Sequence, residues 1–234
     1  MSRGLGDVYK RQEHNPALED EGRRWFKAIE DGDKEALDLF NWFKELTLKD
    51  TQRVYDLLGV TFDSYNGESF YNDKMQPILD VLKQKGLAKM SEGALVVELE
   101  EYGMPPCLLV KADGATLYAT RDLAAALYRK NTYGFDKCLY VVAYQQNLHF
   151  RQIFKVLELA GFDWAKDMVH VAYGMVSLEE GSMSTRKGNA VWLADVLDKA
   201  VEKALDIITE KTPDLENKRE TAEQIGVGAV MFSA

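Results

Sequence analysis

The chain has 234 residues, 46% hydrophobic and 29% charged, a globular composition with room for one large domain or two small ones. A net charge of −9 argues against a general nucleic-acid binder, which needs a basic surface, but leaves local basic contacts to RNA open. Two cysteines without metal-type spacing, Cys107 and Cys138, no apolar run of the roughly 20 residues a membrane span needs, and no signal-peptide pattern predict a soluble cytoplasmic protein with free thiols.

Residues 1–12 are glycine-rich, basic and without periodicity, and read as an unstructured leader or an assembly artefact outside the fold. From 19 to 58 the pattern is helical. Trp25, Phe26 and Ile29 form one apolar face. Asp33 is placed to cap a second helix that turns Ala36, Leu39, Phe40, Phe43 and Leu46 inward, and a third carries Val54, Leu57 and Leu58 and stops at Gly59. Helical spacing accounts for these aromatics as core. Val60 and Phe62 alternate with polar residues as a short strand would. Met75, Ile78, Leu79 and Leu82 form a fourth helical face ending at Gly86, with Pro77 in its first turn, where a missing N–H costs little.

The second half changes period. Residues 95–99 and 108–110 read as strands, Asp113-Gly114 as a hairpin turn, and 122–129 as a helix. A buried strand over 138–143, a helix over 150–160 closed by Gly161, and a strand over 168–173 follow. This alternation predicts an α/β fold with a parallel sheet, whose ligand lies beyond the carboxyl ends of the strands. An amphipathic helix then runs from Leu193 through Val196, Leu197, Ala200, Ala204, Leu205 and Ile208. A last helical segment, 219–232, ends inside its apolar pattern, as in a truncated chain.

Three polar clusters fall at that ligand edge. In Leu117-Tyr118-Ala119-Thr120-Arg121-Asp122-Leu123, Tyr118 and Asp122 lie about one helical turn apart. Asp122 reads either as a helix cap or as an ionised carboxylate that receives a cationic group, and Tyr118 offers a hydroxyl and a ring face suited to a guanidinium. Ala143-Tyr144-Gln145-Gln146-Asn147-Leu148-His149-Phe150 follows a strand and opens a helix. Its amides are fixed donors and acceptors, with Gln146 the leading candidate and His149 an additional one. The alternative is a cap by Asn147 on an exposed turn. The third cluster is Tyr173-Gly174-Met175-Val176 followed by Met183-Ser184-Thr185-Arg186-Lys187-Gly188. Gly174 clears space where an adenine ring could lie against the backbone, although a glycine also ends strands for local reasons. Two cations, two hydroxyls and a glycine in 183–188 suit a clamp on a polyphosphate, or a solvated turn. The sequence holds no Ser/His/Asp set, metal-ligand cluster or Walker-type loop.

In this order and at these intervals the three clusters resemble the arginyl-tRNA synthetases, and the resemblance covers the chain from about residue 13 to its end. The helical half adds similar blocks: Arg23 through Asp33, Tyr55 through Asp63, and Gly67-Glu68-Ser69-Phe70-Tyr71. The resemblance implies the second half of a Rossmann-like class I catalytic domain with a helical insertion. Residues 13–105 would be the insertion, 106–212 the catalytic half, and 213–234 the start of a helical region leading to an anticodon-binding domain. It further implies ATP-dependent ligation of arginine to its tRNA through arginyl-adenylate, with Mg2+ brought by ATP, in a cytoplasmic monomer without membrane or DNA partners.

Tyr118, Asp122 and Gln146 fall on positions that line the family's arginine pocket. Gly174, Met175, Val176, Met183, Ser184, Thr185 and Lys187 fall on its ATP site, with Ser184, Arg186 and Lys187 as catalytic residues of the mobile signature loop. That loop departs from the Lys-Met-Ser-Lys-Ser pattern: Ser182 stands for the first lysine and Thr185 for the second, so Arg186 or Lys187 would compensate. The family's His-x-Gly-His signature occurs nowhere in the sequence, which implies half an ATP site and a chain inactive by itself. The alternative is a non-catalytic half-synthetase that binds RNA or a protein.

Overall fold

The computed structural model describes Asn15 and residues 17–112, 114–175, 177–178, 181–182 and 191–233. Its contacts divide the chain into two units, one formed by 1–63 with 177–234 and the other by 64–176.

In the first unit, α1 (Ala17–Glu30) leads to α2 (Lys34–Leu58). Asp33 caps α2 as expected, accepting from the Ala36 N–H at 3.0 Å. The second and third helices of the sequence reading are one helix, which ends at a left-handed Gly59. No breaker separates Leu46 from Val54, and the hydroxyls of Thr47 and Thr51 are absorbed by the carbonyls of Phe43 and Thr47, four residues back. Val60 and Phe62 form no strand; the Phe62 ring packs edge-on against Tyr55 at 4.8 Å. Trp25, Phe26, Leu39 and Phe43, expected in the core, are exposed, and Ala36 is the buried residue of α2.

The core of this unit lies instead between α6 (Leu193–Lys211) and α7 (Lys218–Ser233). Leu197, Val201, Ala204 and Ile208 meet Ala222 and Val227, with Val54, Leu57 and Leu58 of α2 packed against them. Arg53 of α2 holds both oxygens of Asp198 at 3.0 and 3.1 Å. A two-residue antiparallel ladder pairs β6 (Ser177–Leu178) with β7 (Gly181–Ser182).

The second unit starts with a 3₁₀ turn, Glu68–Tyr71, and α3 (Gln76–Gln84), which buries Ile78, Leu79 and Leu82. An antiparallel sheet follows, in the order β1 (Ala88–Ser91), β2 (Ala94–Val97), β3 (Cys107–Val110). The strand β1 was not foreseen. Its hairpin turns on Glu92 and Gly93, both at positive φ (49° and 81°), without the Asn-Gly or Asp-Gly dipeptide that usually marks such a turn. The turn expected near Gly114 is present: Lys111 N–H donates to Ala115 O at 2.9 Å, beside an antiparallel bridge between Val110 and Thr116. Asp113 lies outside the described residues.

The helix expected over 122–129 is longer, α4 (Tyr118–Tyr133), closed by a left-handed Gly134. The buried Thr120 hydroxyl donates to Leu109 O at 2.6 Å, which fixes the start of α4 to β3. Then β4 (Cys138–Ala143), α5 (Asn147–Leu159) and β5 (Met168–Tyr173) form a parallel crossover unit, in register from Cys138↔Met168 to Ala143↔Tyr173. The parallel pair matches the predicted architecture, with one correction. β4 is not buried on both faces: Tyr140 packs inward against Phe150 and Phe154, while Leu139 and Val141 are exposed. Among the described residues, no helix is long and apolar enough to cross a membrane.

Candidate functional site

Within the second unit, α4, the end of β4 and the start of α5 enclose a cavity of about 410 Å³. From α4 come Tyr118, Asp122, Ala125 and Arg129, at spacings of four, three and four that set them on one helical face, with Arg121 beside them. Val142 of β4, and Gln146, His149 and Phe150 around the start of α5, form the opposite wall. Asn66, Gly67, Glu68 and Tyr71 close the rest. The cavity thus sits at the carboxyl end of a parallel strand, the place the sequence pattern indicated.

The structure removes the capping reading at both positions. Helix α4 begins at Tyr118, after an extended Leu117 that makes no side-chain cap bond. Asp122 therefore lies in the second turn, and its carboxylate is not a cap. Its Oδ2 accepts a hydrogen bond from His149 Nε2 at 2.6 Å, and the side chains remain 35% and 21% exposed. Helix α5 begins at Asn147 with Gln146 in the cap position and no side-chain cap bond, so Asn147 does not cap it either. Tyr118 presents an exposed ring on the helical face that carries Asp122.

Two guanidinium groups complete the wall, and the sequence reading gave neither a role. Arg121 is only 7% exposed; its Nε donates to Asn72 Oδ1 at 2.9 Å and its Nη1 meets Glu68 Oε1 at 3.4 Å. A buried cation needs such partners to offset its lost hydration, and these bonds tie the 3₁₀ turn to α4. Arg129 lies over the rings of Tyr71 (5.6 Å) and Tyr140 (5.2 Å). Burial disfavours its charge, but the phenol oxygens of Tyr140 and Tyr71 outweigh that and hold its pKa above the usual value. Burial pushes the Tyr140 hydroxyl well above its ordinary range; that oxygen lies beside Arg129 and Cys138 without a well-formed hydrogen bond. His170 supports the site from β5, its Nε2 donating to Val142 O at 2.9 Å and its ring against Phe150 at 4.6 Å.

Of the sequence candidates, Tyr118, Asp122, Gln146 and His149 are brought together here. Gly174 and Met175 follow β5 and are exposed, outside the cavity lining; a Cβ built on Gly174 would meet nothing within 4 Å. Val176, Met183, Ser184, Thr185, Arg186 and Lys187 lie outside the described residues. The missed residues had signals. Glu68 and Tyr71 belong to the Gly67–Tyr71 block already singled out, and continuing the helical spacing from Tyr118 and Asp122 reaches Ala125 and Arg129. The arrangement suits a planar cationic group: an aromatic face, a carboxylate held by one imidazole N–H, and an amide across the gap.

The family model described as tRNA synthetases class I (R), catalytic domain, matches residues 4–234, and so reaches into the segment read as a leader. The chain is 58% identical over 220 residues to the arginine–tRNA ligase of Clostridioides difficile (strain 630), covering 94% of this chain and 39% of that protein. It is 55% identical over 224 residues to the arginine–tRNA ligase of Halothermothrix orenii, covering 96% of this chain and 40% of the relative. Arginyl-tRNA synthetase of Thermus thermophilus shares the fold with a TM-score of 0.76 at 23% identity, over 96% of this chain and 42% of that one. The Plasmodium falciparum arginyl-tRNA synthetase gives the same score at 22% identity, over 100% and 43%. The chain therefore spans about two fifths of the length of the curated relatives it matches. The α/β fold is that of these enzymes, and the chain belongs to the class I arginyl-tRNA synthetase family, in its catalytic domain.

Proposed function

We propose that the protein ligates arginine to its tRNA at the expense of ATP, and that the cavity between α4 and α5 is where the arginine side chain is read. One observation carries this: Tyr118 and Asp122 of α4 and Gln146 just before α5 converge on one cavity at the carboxyl end of β4. Asp122 pairs with the guanidinium, Tyr118 stacks on it, and Gln146 orients the substrate. Lysine carries a point charge instead of a planar fork, so it leaves donors and acceptors of this site unpaired and is rejected.

In the first step a carboxylate oxygen of arginine bonds to the α-phosphorus of ATP and pyrophosphate leaves, giving arginyl-adenylate. In the second, a ribose hydroxyl at the tRNA terminus attacks the arginyl carbonyl carbon and AMP leaves. Mg2+ enters with ATP as part of the substrate. Arg186 and Lys187, with the hydroxyls of Ser184 and Thr185 and the backbone at Met183, are assigned to the phosphates. The open space beside Gly174, with Met175 and Val176, is assigned to the adenine. In this reading 106–212 is the catalytic half, because α4, β4, α5 and β5 lie there, and the stretch read as insertion, 13–105, lends Glu68 and Tyr71 to the pocket. Residues 213–234 lead toward the anticodon-binding region. The partners are arginine and its tRNA, the compartment is the cytoplasm, and the working form is a monomer.

The test is arginine-dependent exchange between ATP and pyrophosphate in the full-length protein. Asp122→Asn is expected to lower kcat/KM for arginine by about 30-fold or more, the factor equivalent to about 2 kcal/mol of lost charge pairing. An unchanged value removes Asp122 from the site. Arginine binding without any exchange favours the non-catalytic RNA- or protein-binding alternative.

A further inference from the structure

Asp122 makes its hydrogen bond, among the described residues, to a group on another helix. His149 is the third residue of α5, and its Nε2 reaches Asp122 Oδ2 at 2.6 Å across 27 residues of sequence. The imidazole is held in turn by Phe150, whose ring meets it edge-on at 5.3 Å. An aspartate side chain is short, but its terminal torsion is broad and roughly two-fold. A carboxylate free to turn about that bond presents a changing edge to the cavity. A planar ligand with two parallel N–H groups needs that edge fixed. The bond from His149 occupies one acceptor position on Oδ2 and leaves Oδ1, with the remaining position on Oδ2, for a ligand.

We propose that His149 is the positioning residue of this site: its Nε2–H fixes the plane of the Asp122 carboxylate, so that the edge facing the cavity is ready for the guanidinium of arginine. The inference rests on the reading of the cavity as an arginine site. It differs from a latch, in which His149 would occupy the place of the ligand and have to leave. A positioning residue helps binding, whereas a latch opposes it. Gln146 lies one turn earlier and lines the same cavity, so the start of α5 supplies both a direct ligand contact and the support for the opposing carboxylate. In neutral imidazole only one ring nitrogen carries hydrogen, and this role requires that it be Nε2.

Two measurements on the full-length protein test the inference. The first is steady-state exchange kinetics with arginine varied, for wild type, His149→Ala and His149→Gln. Glutamine places its amide nitrogen close to where Nε2 stands and donates without titrating. His149→Ala is expected to raise KM for arginine about tenfold with kcat changed less than about twofold, the effect of losing one charge-assisted hydrogen bond. His149→Gln is expected to restore KM to within about threefold of wild type. Equal losses in both variants, a fall in kcat at constant KM, or a tighter KM in His149→Ala overturns the inference. The second measurement needs neither variant nor substrate: nitrogen NMR of the histidine rings in the wild-type protein. A protonated Nε2 on His149 supports the contact, and a neutral ring carrying its hydrogen on Nδ1 overturns it. A wild type that shows the Nε2 proton but no response to arginine overturns the arginine reading and the positioning role with it, and leaves the His149–Asp122 bond as a structural one.

Discussion

Cys107 and Cys138 differ in burial, and burial decides thiol chemistry here. Cys107 is 2% exposed, and burial pushes its pKa from 9.0 up to about 12. Burial also raises the Cys138 thiol, with Arg129 and Tyr140 pulling the other way. The thiolate is the reactive form, so Cys107 is expected to resist alkylation by iodoacetamide in the native protein and to react once denaturant is added. The same shift has a thermodynamic sign. The folded pKa lies above the unfolded one, so the contribution is fully present below pH 9.0 and is lost as pH rises towards about 12. The urea midpoint should fall across that window, and Cys107→Ala should flatten the fall; an identical slope in the variant would place the loss on other groups, Tyr140 first. At this scale the site was partly legible. Tyr118, Asp122 and Gln146 stand at strand–helix junctions and carry recognisable chemistry. Glu68 and Arg121 were not read because their role comes from contacts 53 and 49 residues away, with each other and with Asn72. The cap reading of Asp122 fails because α4 begins a turn earlier than its polar residues suggest.

Helix α7 touches α6 where it has no side chain to offer. A Cβ on Gly226 would stand 2.7 Å from the Cα and N of Val201 and 2.8 Å from the carbonyl carbon of Ala200, and backbone cannot swing aside. Gly226→Ala is expected to destabilise the protein by about 1–3 kcal/mol, through overpacking. Gly228, two residues on in the same helix, would meet nothing within 4 Å. Gly228→Ala should therefore stabilise by about 0.5–1 kcal/mol through helix propensity alone. Urea unfolding of the two variants side by side separates close approach from backbone entropy; a tolerated Gly226→Ala would mean the two helices lie further apart. The β1–β2 turn supports a second prediction. Glu92 holds φ 49°, a region that asparagine enters more readily, so Glu92→Asn should gain about 0.5 kcal/mol in the same measurement. These examples also show which elements were legible. Strong periodicity placed β4 and β5 at their observed limits and found α6 and α7. The hairpin at Glu92-Gly93 was missed because its turn lacks the usual dipeptide. One long helix was read as two because its apolar face lapses over the polar residues 49–53, although the Thr47 and Thr51 hydroxyls bond within the helix.

The order strand, helix, strand predicted a parallel pair from sequence, but not which face of that pair is covered. Strand β4 reads Cys-Leu-Tyr-Val-Val-Ala, a continuous apolar run of the kind found in sheets buried on both sides. In the described structure its inner face packs on α5, while Leu139 (56%) and Val141 (64%) stand exposed. Val169, Val171 and Tyr173 of β5 are also exposed. Alternate residues of two paired strands share a face, so these side chains form one apolar patch. Such a patch, with strand edges beside it, favours association between copies. Expressed by itself, this chain is expected to self-associate in a concentration-dependent way, measured by light scattering. Val141→Thr combined with Val171→Thr keeps the β-branch at both positions and removes two methyl groups from the patch. The double variant should shift the association towards monomer, without weakening the second unit, because neither side chain faces its core. Association unchanged in the variant would move the cause to the first unit, where Trp25, Phe26, Trp42 and Phe43 are exposed. Trp42→Gln would then be the substitution that shifts it, and the sheet face would carry no share of the effect.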